Sequence, residues 1–203
     1  MSDPNRTPPI IDIGPLRTMP DGAEARACVE AIHAACLDTG FFVVVGHGLD
    51  AEIALLFDTA RSFFAQPQEV KERVPRIDRY GFVPHSGSAI DRDRMSDNTE
   101  FIDIGLGDEV PLPDLDGFEH AVRQYQAAAV DTGAVILRAL AVALGIDADF
   151  FADRMQNPQC RLRFLHYPEI EPAADGALPV PTQPHTDYGA ITMLATDGVP
   201  GLE

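Results

Sequence analysis

The sequence predicts an α+β fold in which a mostly helical first part packs on the beginning of a β-sheet. Before residue 156, apolar residues recur mainly at three- and four-residue steps, which is helical spacing. Over residues 161–167 the side chains alternate between two faces instead, which is strand spacing. With 203 residues, 45% of them hydrophobic, the chain is long and apolar enough to bury the core of such a fold.

The first predicted elements are a short strand, a helix and a second strand. Residues 8–13 predict the short strand. Gly40 follows the helix at a position where a left-handed cap is expected, and the apolar run 41–45 is typical of a fully buried strand. One helix face is formed by Ala25, Cys28, Val29, Ile32, Ala35 and Cys36. Cys28 and Cys36 are therefore interpreted as small core residues of this face.

A second helix is predicted from Asp50, a good N-cap residue, to Pro67, which ends this helix or starts another turn. Residues 77–113 are rich in Gly, Pro, Ser, Asp and Asn, which predicts loops with one short strand at 99–104. The buried stripe of the helix is expected to comprise Ile53, Leu56, Phe57, Ala60, Phe63 and Phe64.

The last part of the chain changes from helix to strand. A long helix is predicted over 118–144, closed by Gly145, and a short one over 149–155. The strand 161–167 follows, then a proline-rich loop over 169–184 and an apolar strand over 191–195. In the first of these strands Leu162, Phe164 and His166 share one face, and Arg163, Leu165 and Tyr167 share the other.

Composition excludes several classes of function. The chain has 15 basic and 32 acidic residues, a net charge of −17, so nucleic acid and anionic membrane surfaces are poor partners. No run approaches the roughly 20 apolar residues of a membrane span, and the polar start has no apolar signal region. Three scattered cysteines do not form a disulfide framework. We therefore expect a cytoplasmic protein.

The segment His185-Thr186-Asp187 has the spacing of a metal-binding pair. In extended backbone, residues two apart point to the same side, so the imidazole and the carboxylate would converge. Two histidines and one carboxylate on one face of an octahedron are typical of non-haem Fe(II) oxygenases. With six histidines and 32 acidic residues, however, about one His-x-acid pair is expected by chance. A histidine satisfied by a neighbouring acid is the alternative.

Seven segments spread over nearly the whole chain follow one another in a characteristic order. They are residues 9–13 (PIIDI), 40–49 (GFFVVVGHGL), 63–71 (FFAQPQEVK), 99–101 (TEF), 162–168 (LRFLHYP), 185–194 (HTDYGAITML) and 199–203 (VPGLE). In kind and in order, these segments resemble the isopenicillin N synthase-like 2-oxoglutarate/Fe(II) dioxygenases. Residues 185–194 resemble the family's iron-binding strand. Because several segments match in order, the resemblance is far more specific than a three-residue motif.

This resemblance implies a fold, cofactors and a reaction. The scaffold is expected to be a double-stranded β-helix, or jelly-roll, with an N-terminal dioxygenase region over 1–115 and the long helix plus the first part of the jelly-roll over 116–203. Fe(2+) is the implied metal, bound by His185 and Asp187. The implied co-substrates are 2-oxoglutarate and O2, with ascorbate as reductant, acting on a small-molecule substrate. An ethylene- or succinate-forming sub-branch is one expectation, and isopenicillin N synthase, which needs no 2-oxo acid, is another.

The chain departs from the family pattern in one respect. Family members carry a distal iron histidine and an arginine-x-serine pair beyond this point, and neither is present up to Glu203. We therefore expect an incomplete jelly-roll, with apolar surface exposed around residues 191–194, and no coupled turnover by these 203 residues. A truncated, inactive remnant that binds metal weakly is the rival hypothesis.

The remaining candidate residues are Arg163, Tyr167, His166 and His47. Arg163 is a candidate for binding a co-substrate carboxylate bidentately, or it forms a structural ion pair. Tyr167 is a candidate for a hydrogen bond to the same carboxylate. His166 is expected to be a satisfied core or pocket-rim histidine rather than a ligand, although a zinc hydrolase using His166, His185 and Asp187 is a third, weaker hypothesis. His47, between two glycines, is expected to be structural.

Overall fold

The computed structural model describes residues 7–84, 99–107, 110–167, 187 and 189–199. Its internal contacts divide the chain into two compact units. The first unit comprises Met1–Ala51 and Ala127–Pro158, and the second comprises Glu52–Gln126 and Gln159–Glu203. The division predicted between residues 115 and 116 concerns regions of the family and stays a prediction. The compact units follow a different division, in which both units draw on two separate stretches of the chain.

The first unit contains a two-stranded parallel sheet. Strand β1 (Ile10–Asp12) pairs with β2 (Val43–Val45), with Ile11 opposite Val44. Helix α1 (Gly14–Thr18) follows β1, with Ile13 between them. Pro15 lies in its first turn, where a missing N–H costs no helical hydrogen bond. The sequence prediction missed this short helix. Parallel strands need a long crossover between them, and helix α2 (Ala23–Asp38) provides it.

Helix α2 confirms most of its predicted buried face. Ala25, Cys28, Ile32 and Ala35 are buried, and Gly40 has a φ of +75° after the helix, as expected for a left-handed cap. The prediction for Cys36 was wrong, since its side chain is exposed. Eight residues at about 100° each place Cys36 roughly 80° around the helix from Cys28, which is enough to leave the buried face.

The prediction of a fully buried strand over 41–45 was also wrong. The side chains of Val43 and Val45 are exposed, and Phe41 is 72% exposed. A continuous apolar run indicates a strand covered on both faces only when other elements cover it. Within the described residues, β2 has β1 as its one strand neighbour. The run therefore predicts a strand here without predicting its burial.

The second unit is built on a three-stranded antiparallel sheet. Its strands β3 (Gly81–Val83), β4 (Glu100–Gly105) and β5 (Arg161–His166) lie in the order β3-β4-β5. The predicted strands at 99–104 and 161–167 are confirmed. Strand β3 was not predicted, because three residues inside a region rich in glycine and proline give no periodic signal.

Helices and one face of this sheet enclose the core of the second unit. Helix α3 (Asp50–Phe64) leads, through Pro67, to the short α4 (Gln68–Lys71), so Pro67 starts another helical turn. The core rests on the β-sheet face that carries the even-numbered residues of β4 and β5. Its buried members are Phe63, Val74, Phe82, Ile102, Ile104, Phe118, Val122 and Phe164.

The longest helix, α5 (Phe118–Ala143), confirms the prediction closely and ends before Gly145, whose φ is +70°. By length and composition alone it would pass as a membrane span. Buried core helices of water-soluble proteins pass the same test, and Arg123, Asp131 and Arg138 interrupt its apolar surface. The absence of a membrane partner therefore stays a prediction. Of the predicted helix 149–155, a 3-10 turn at Asp153–Met155 is present.

The predicted strand at 191–195 was wrong, because these residues have no regular secondary structure. A strand exists only where a neighbour accepts its backbone hydrogen bonds, and no described strand pairs with this segment. Its apolar side chains Met193 and Leu194 are exposed. The expected exposure of apolar surface is thus observed, whereas the incomplete barrel stays a prediction.

We predict that Cys36 is the thiol that reacts first with iodoacetamide at pH 8. Burial, with a further contribution from the Asp12 charge, raises the pKa of Cys28, and burial raises the pKa of Cys160. A raised pKa lowers the fraction of reactive thiolate at a given pH. Peptide mass spectrometry over time should show early alkylation at Cys36, and C36S should remove the fast phase. Equal labelling of Cys28 at early times would contradict the prediction.

Candidate functional site

Strands β4 and β5 bring four polar side chains into direct cross-strand pairs. Glu100 lies opposite His166, and Asp103 lies opposite Arg163. Because successive side chains of a strand point to opposite faces, these two pairs lie on opposite faces of the sheet. The Glu100 pair is on the face that carries the core, and the Asp103 pair is on the other face.

On the face opposite the core, Arg163 and Asp103 form a bidentate ion pair. Arg163 Nε donates to Asp103 Oδ1 at 2.6 Å, and an Nη group donates to Oδ2 at 2.7 Å. The guanidinium also lies over the Phe101 ring, 4.2 Å from its centroid. The Asp103 side chain is 0% exposed, so its charge is stabilised by Arg163 rather than by water.

This geometry corresponds to the second interpretation of Arg163, the structural ion pair. Both the Nε and one Nη group are already engaged by Asp103, so a co-substrate carboxylate would meet only the remaining edge of the guanidinium. The assignment of Arg163 to co-substrate binding stays a prediction. So does that of Tyr167, which follows β5 directly and whose side chain is exposed.

On the core face, Glu100 accepts hydrogen bonds from two residues. Lys71 Nζ, on α4, donates to both carboxylate oxygens at 2.8 and 2.6 Å, and His166 Nδ1 lies 2.8 Å from Oε1. The side chains of Lys71 and Glu100 are only 8% and 7% exposed. Buried charges of this kind persist only when they are paired. The network therefore ties α4 to the sheet through two strands.

His166 is a satisfied histidine, as the sequence predicted. Its ring stacks on Phe64, with the centroids 5.0 Å apart, and Glu100 fixes one ring nitrogen. The sequence prediction did not single out Lys71, Glu100 or Asp103 as polar partners. Lys71 and Glu100 lie in the matched segments 63–71 and 99–101, which was the available signal, but their pairing across 29 residues of chain is tertiary.

The predicted metal ligands are described only in part. Asp187 is described and exposed, whereas His185 lies outside the described residues, so the predicted convergence of the two side chains is not tested. Among the described residues, no three His, Cys, Asp or Glu side chains lie close enough together to hold a metal ion. The two residue types, one imidazole and one carboxylate, fit Fe(2+) as donors.

Fold and sequence together define the class of the protein. The family model described as "non-haem dioxygenase in morphine synthesis N-terminal" matches residues 8–127, more than half of the chain. The chain belongs to the 2-oxoglutarate/Fe(II) dioxygenase family. The resemblance found in the seven ordered segments is thereby confirmed.

Curated relatives agree with this assignment. The chain is 31% identical over 222 residues to the 2-oxoglutarate-dependent dioxygenase citB of Monascus ruber, covering 96% of this chain and 66% of the relative. It is 27% identical to the 2-oxoglutarate-Fe(II) type oxidoreductase hxnY of Emericella nidulans, covering 97% and 62%. The chain thus spans a little under two thirds of the length of these relatives.

A solved structure shares the mixed helix and sheet architecture. Full-length Neurospora crassa T7H in complex with alpha-KG superimposes with a TM-score of 0.70 at 25% identity, covering 83% of this chain and 56% of that one. The α+β prediction is confirmed at this level. The jelly-roll scaffold of this chain, beyond the three strands β3 to β5, stays an expectation.

Proposed function

We propose that this chain is part of an Fe(2+)- and 2-oxoglutarate-dependent dioxygenase that oxidises a small molecule with O2. The observation that carries the proposal is membership of the non-haem dioxygenase family over residues 8–127. The alpha-KG complex of the Neurospora crassa T7H structure supports the co-substrate. The cytoplasm remains the proposed compartment, and the ethylene-forming sub-branch remains a prediction without further support.

The residues of this chain would contribute binding and orientation. His185 and Asp187 would hold the metal, which supplies, with 2-oxoglutarate and O2, the oxidising power that no amino-acid side chain has. Tyr167 would donate a hydrogen bond from its hydroxyl group to a carboxylate of the co-substrate. Tyr167 directly follows β5, whose last residue, His166, is held by Glu100 and Phe64.

Metal binding gives the first test, with Mn(2+) as an oxygen-insensitive probe. We expect H185A and D187A each to weaken Mn(2+) binding at least about tenfold in isothermal titration, because each removes a ligand. D197A removes an exposed carboxylate ten residues further on and should leave the affinity unchanged. Equal weakening by D197A, or none by D187A, would contradict the assignment of the ligands.

Activity gives the second test, as succinate release with Fe(2+), ascorbate, 2-oxoglutarate and O2. In the longest form of the protein that its gene encodes, D187A should lower succinate release more than about 100-fold. Succinate release that is unaffected by D187A would overturn the proposed role of Asp187. If that form neither binds Mn(2+) nor releases succinate, the proposal fails and the inactive remnant is the better description.

A further inference from the structure

Two histidines in the described part of the chain form hydrogen bonds through Nδ1, but in opposite senses. His166 Nδ1 lies 2.8 Å from Glu100 Oε1, whereas His47 Nδ1 lies 2.9 Å from the backbone nitrogen of Leu49. A neutral imidazole carries one proton, so one ring nitrogen donates and the other accepts. The partner of Nδ1 therefore decides the tautomer of each ring and which nitrogen keeps a free lone pair.

At His166 the proton is on Nδ1. Lys71 Nζ donates to both oxygens of Glu100, at 2.8 and 2.6 Å. A carboxylate paired in this way with an ammonium group is ionised, and an ionised carboxylate only accepts hydrogen bonds. His166 Nδ1 is therefore the donor to Glu100, and in the neutral ring the free lone pair is on Nε2.

At His47 the proton is on the other ring nitrogen. The backbone N–H of Leu49 can only donate, so His47 Nδ1 accepts and the neutral ring carries its proton on Nε2. The lone pair of Nδ1 is occupied by this hydrogen bond. Both histidines are half-buried, yet only neutral His166 has a lone pair that is free to form a bond with another atom.

Nε2 of His166 is also accessible to solvent. The His166 side chain is 43% exposed. Among the described residues, Arg123 Nε is the one buried side-chain nitrogen or oxygen without a hydrogen bond, so the unpartnered Nε2 is not buried. Phe64 stacks on the ring, with the centroids 5.0 Å apart, and Glu100 holds Nδ1. The ring is thus held with Nε2 on the edge away from the buried carboxylate.

We propose that His166 is a site of covalent modification by small acyl donors, with Nε2 as the nucleophile and Glu100 as the positioning residue. The Nε2 lone pair forms a bond to the acyl carbon, and the bond from this carbon to the leaving group breaks with its electron pair. The ring is positively charged until Nδ1 releases its proton, which Glu100 is placed to accept. Glu100 thus holds the reactive tautomer and stabilises the developing positive charge.

The test uses diethyl pyrocarbonate, an anhydride that acylates imidazole, on the 203-residue chain. Peptide mass spectrometry over time gives the rate of acylation at each histidine. We expect His166 to react several times faster than His120, which is exposed and makes no hydrogen bond to a described residue. His47 is the matched half-buried control and should react more slowly than both, because its Nε2 carries the proton.

The role of the Glu100 charge is tested in the double variant Lys71→Met/Glu100→Gln, which removes both members of the buried pair and leaves no unpaired ammonium group. Acylation of His166 should slow about tenfold, as is typical when the partner that orients an imidazole is lost. The rates at the other described histidines should not change. Asp58→Asn, which breaks the exposed pair of Asp58 with Arg61, should leave the rate at His166 unchanged.

Three outcomes would overturn the proposal. They are acylation of His166 no faster than that of His120, acylation of His47 as fast as that of His166, and an unchanged rate at His166 in a double variant that circular dichroism shows to be folded. If the double variant does not fold, the comparison of the three histidines in the unaltered chain decides. The measurement involves no iron, 2-oxoglutarate or turnover, so its result is independent of the proposed function.

Discussion

Replacing Glu100 by glutamine should destabilise the chain by about 3–5 kcal/mol, since it leaves the ammonium group of Lys71 buried without a counter-charge. Glutamine has almost the same volume as glutamate, so the lost free energy of unfolding measures the removal of the charge and not the creation of a cavity. Both partners are more than nine-tenths buried, which separates this pair from ordinary surface ion pairs. The chain has no tryptophan, so urea unfolding is followed by circular dichroism.

A double-mutant cycle identifies the source of the loss. Adding Lys71→Met to Glu100→Gln removes the unpaired cation and should restore most of the stability, because an apolar replacement of a buried pair is often nearly neutral. The control is Asp58→Asn, which breaks the exposed pair between Arg61 and Asp58 and should cost less than about 1 kcal/mol. Additive losses in the double variant would contradict the charge argument.

Replacing Phe63 by alanine should cost about 3–5 kcal/mol by leaving a cavity in the core of the second unit. The side chain is 1% exposed, and its ring meets Phe64, Phe82 and Phe118 edge-to-face at 5.2 to 6.0 Å between centroids. Each such contact adds to the free energy of burial. The midpoint of urea unfolding measures the change.

Phe41 is the matched control for this substitution. It is also a phenylalanine, but it is 72% exposed, so Phe41→Ala should change the free energy of unfolding by no more than about 0.5 kcal/mol. A loss at Phe41 comparable with that at Phe63 would show that the apolar surface around β2 is covered in solution.

The elements that sequence predicts well are those whose signal is local. The helices around Ala25 and Val122 have regular three- and four-residue spacing, and β5 has clear alternation, so periodicity alone predicts them. The run 41–45 and the segment 191–195 are different, because whether an apolar stretch is buried or paired depends on what other parts of the chain supply. Strand β3 is too short to carry a pattern.

The same distinction applies to the candidate site. The His185–Asp187 pair is visible in sequence because its two members are two residues apart, and its assignment as a pair of metal ligands stays a prediction. The partners of Arg163 and His166 are invisible there, since Asp103 and Glu100 lie 60 and 66 residues away. Only the pairing of β4 with β5 brings each acid beside its partner. The sequence therefore left two interpretations of Arg163 open, and the structure identifies Asp103 as its ion-pair partner.

The placement of Glu100 and Asp103 on opposite faces has a consequence for how the sheet forms. If β5 shifted by one residue along β4, every β5 side chain would change faces, and both acids would lose their partners at once. Phe164 would leave the core in the same step. The two cross-strand pairs therefore favour a single alignment of β4 and β5. A misaligned sheet would leave an unpaired acid on each of its two faces, which raises its free energy during folding.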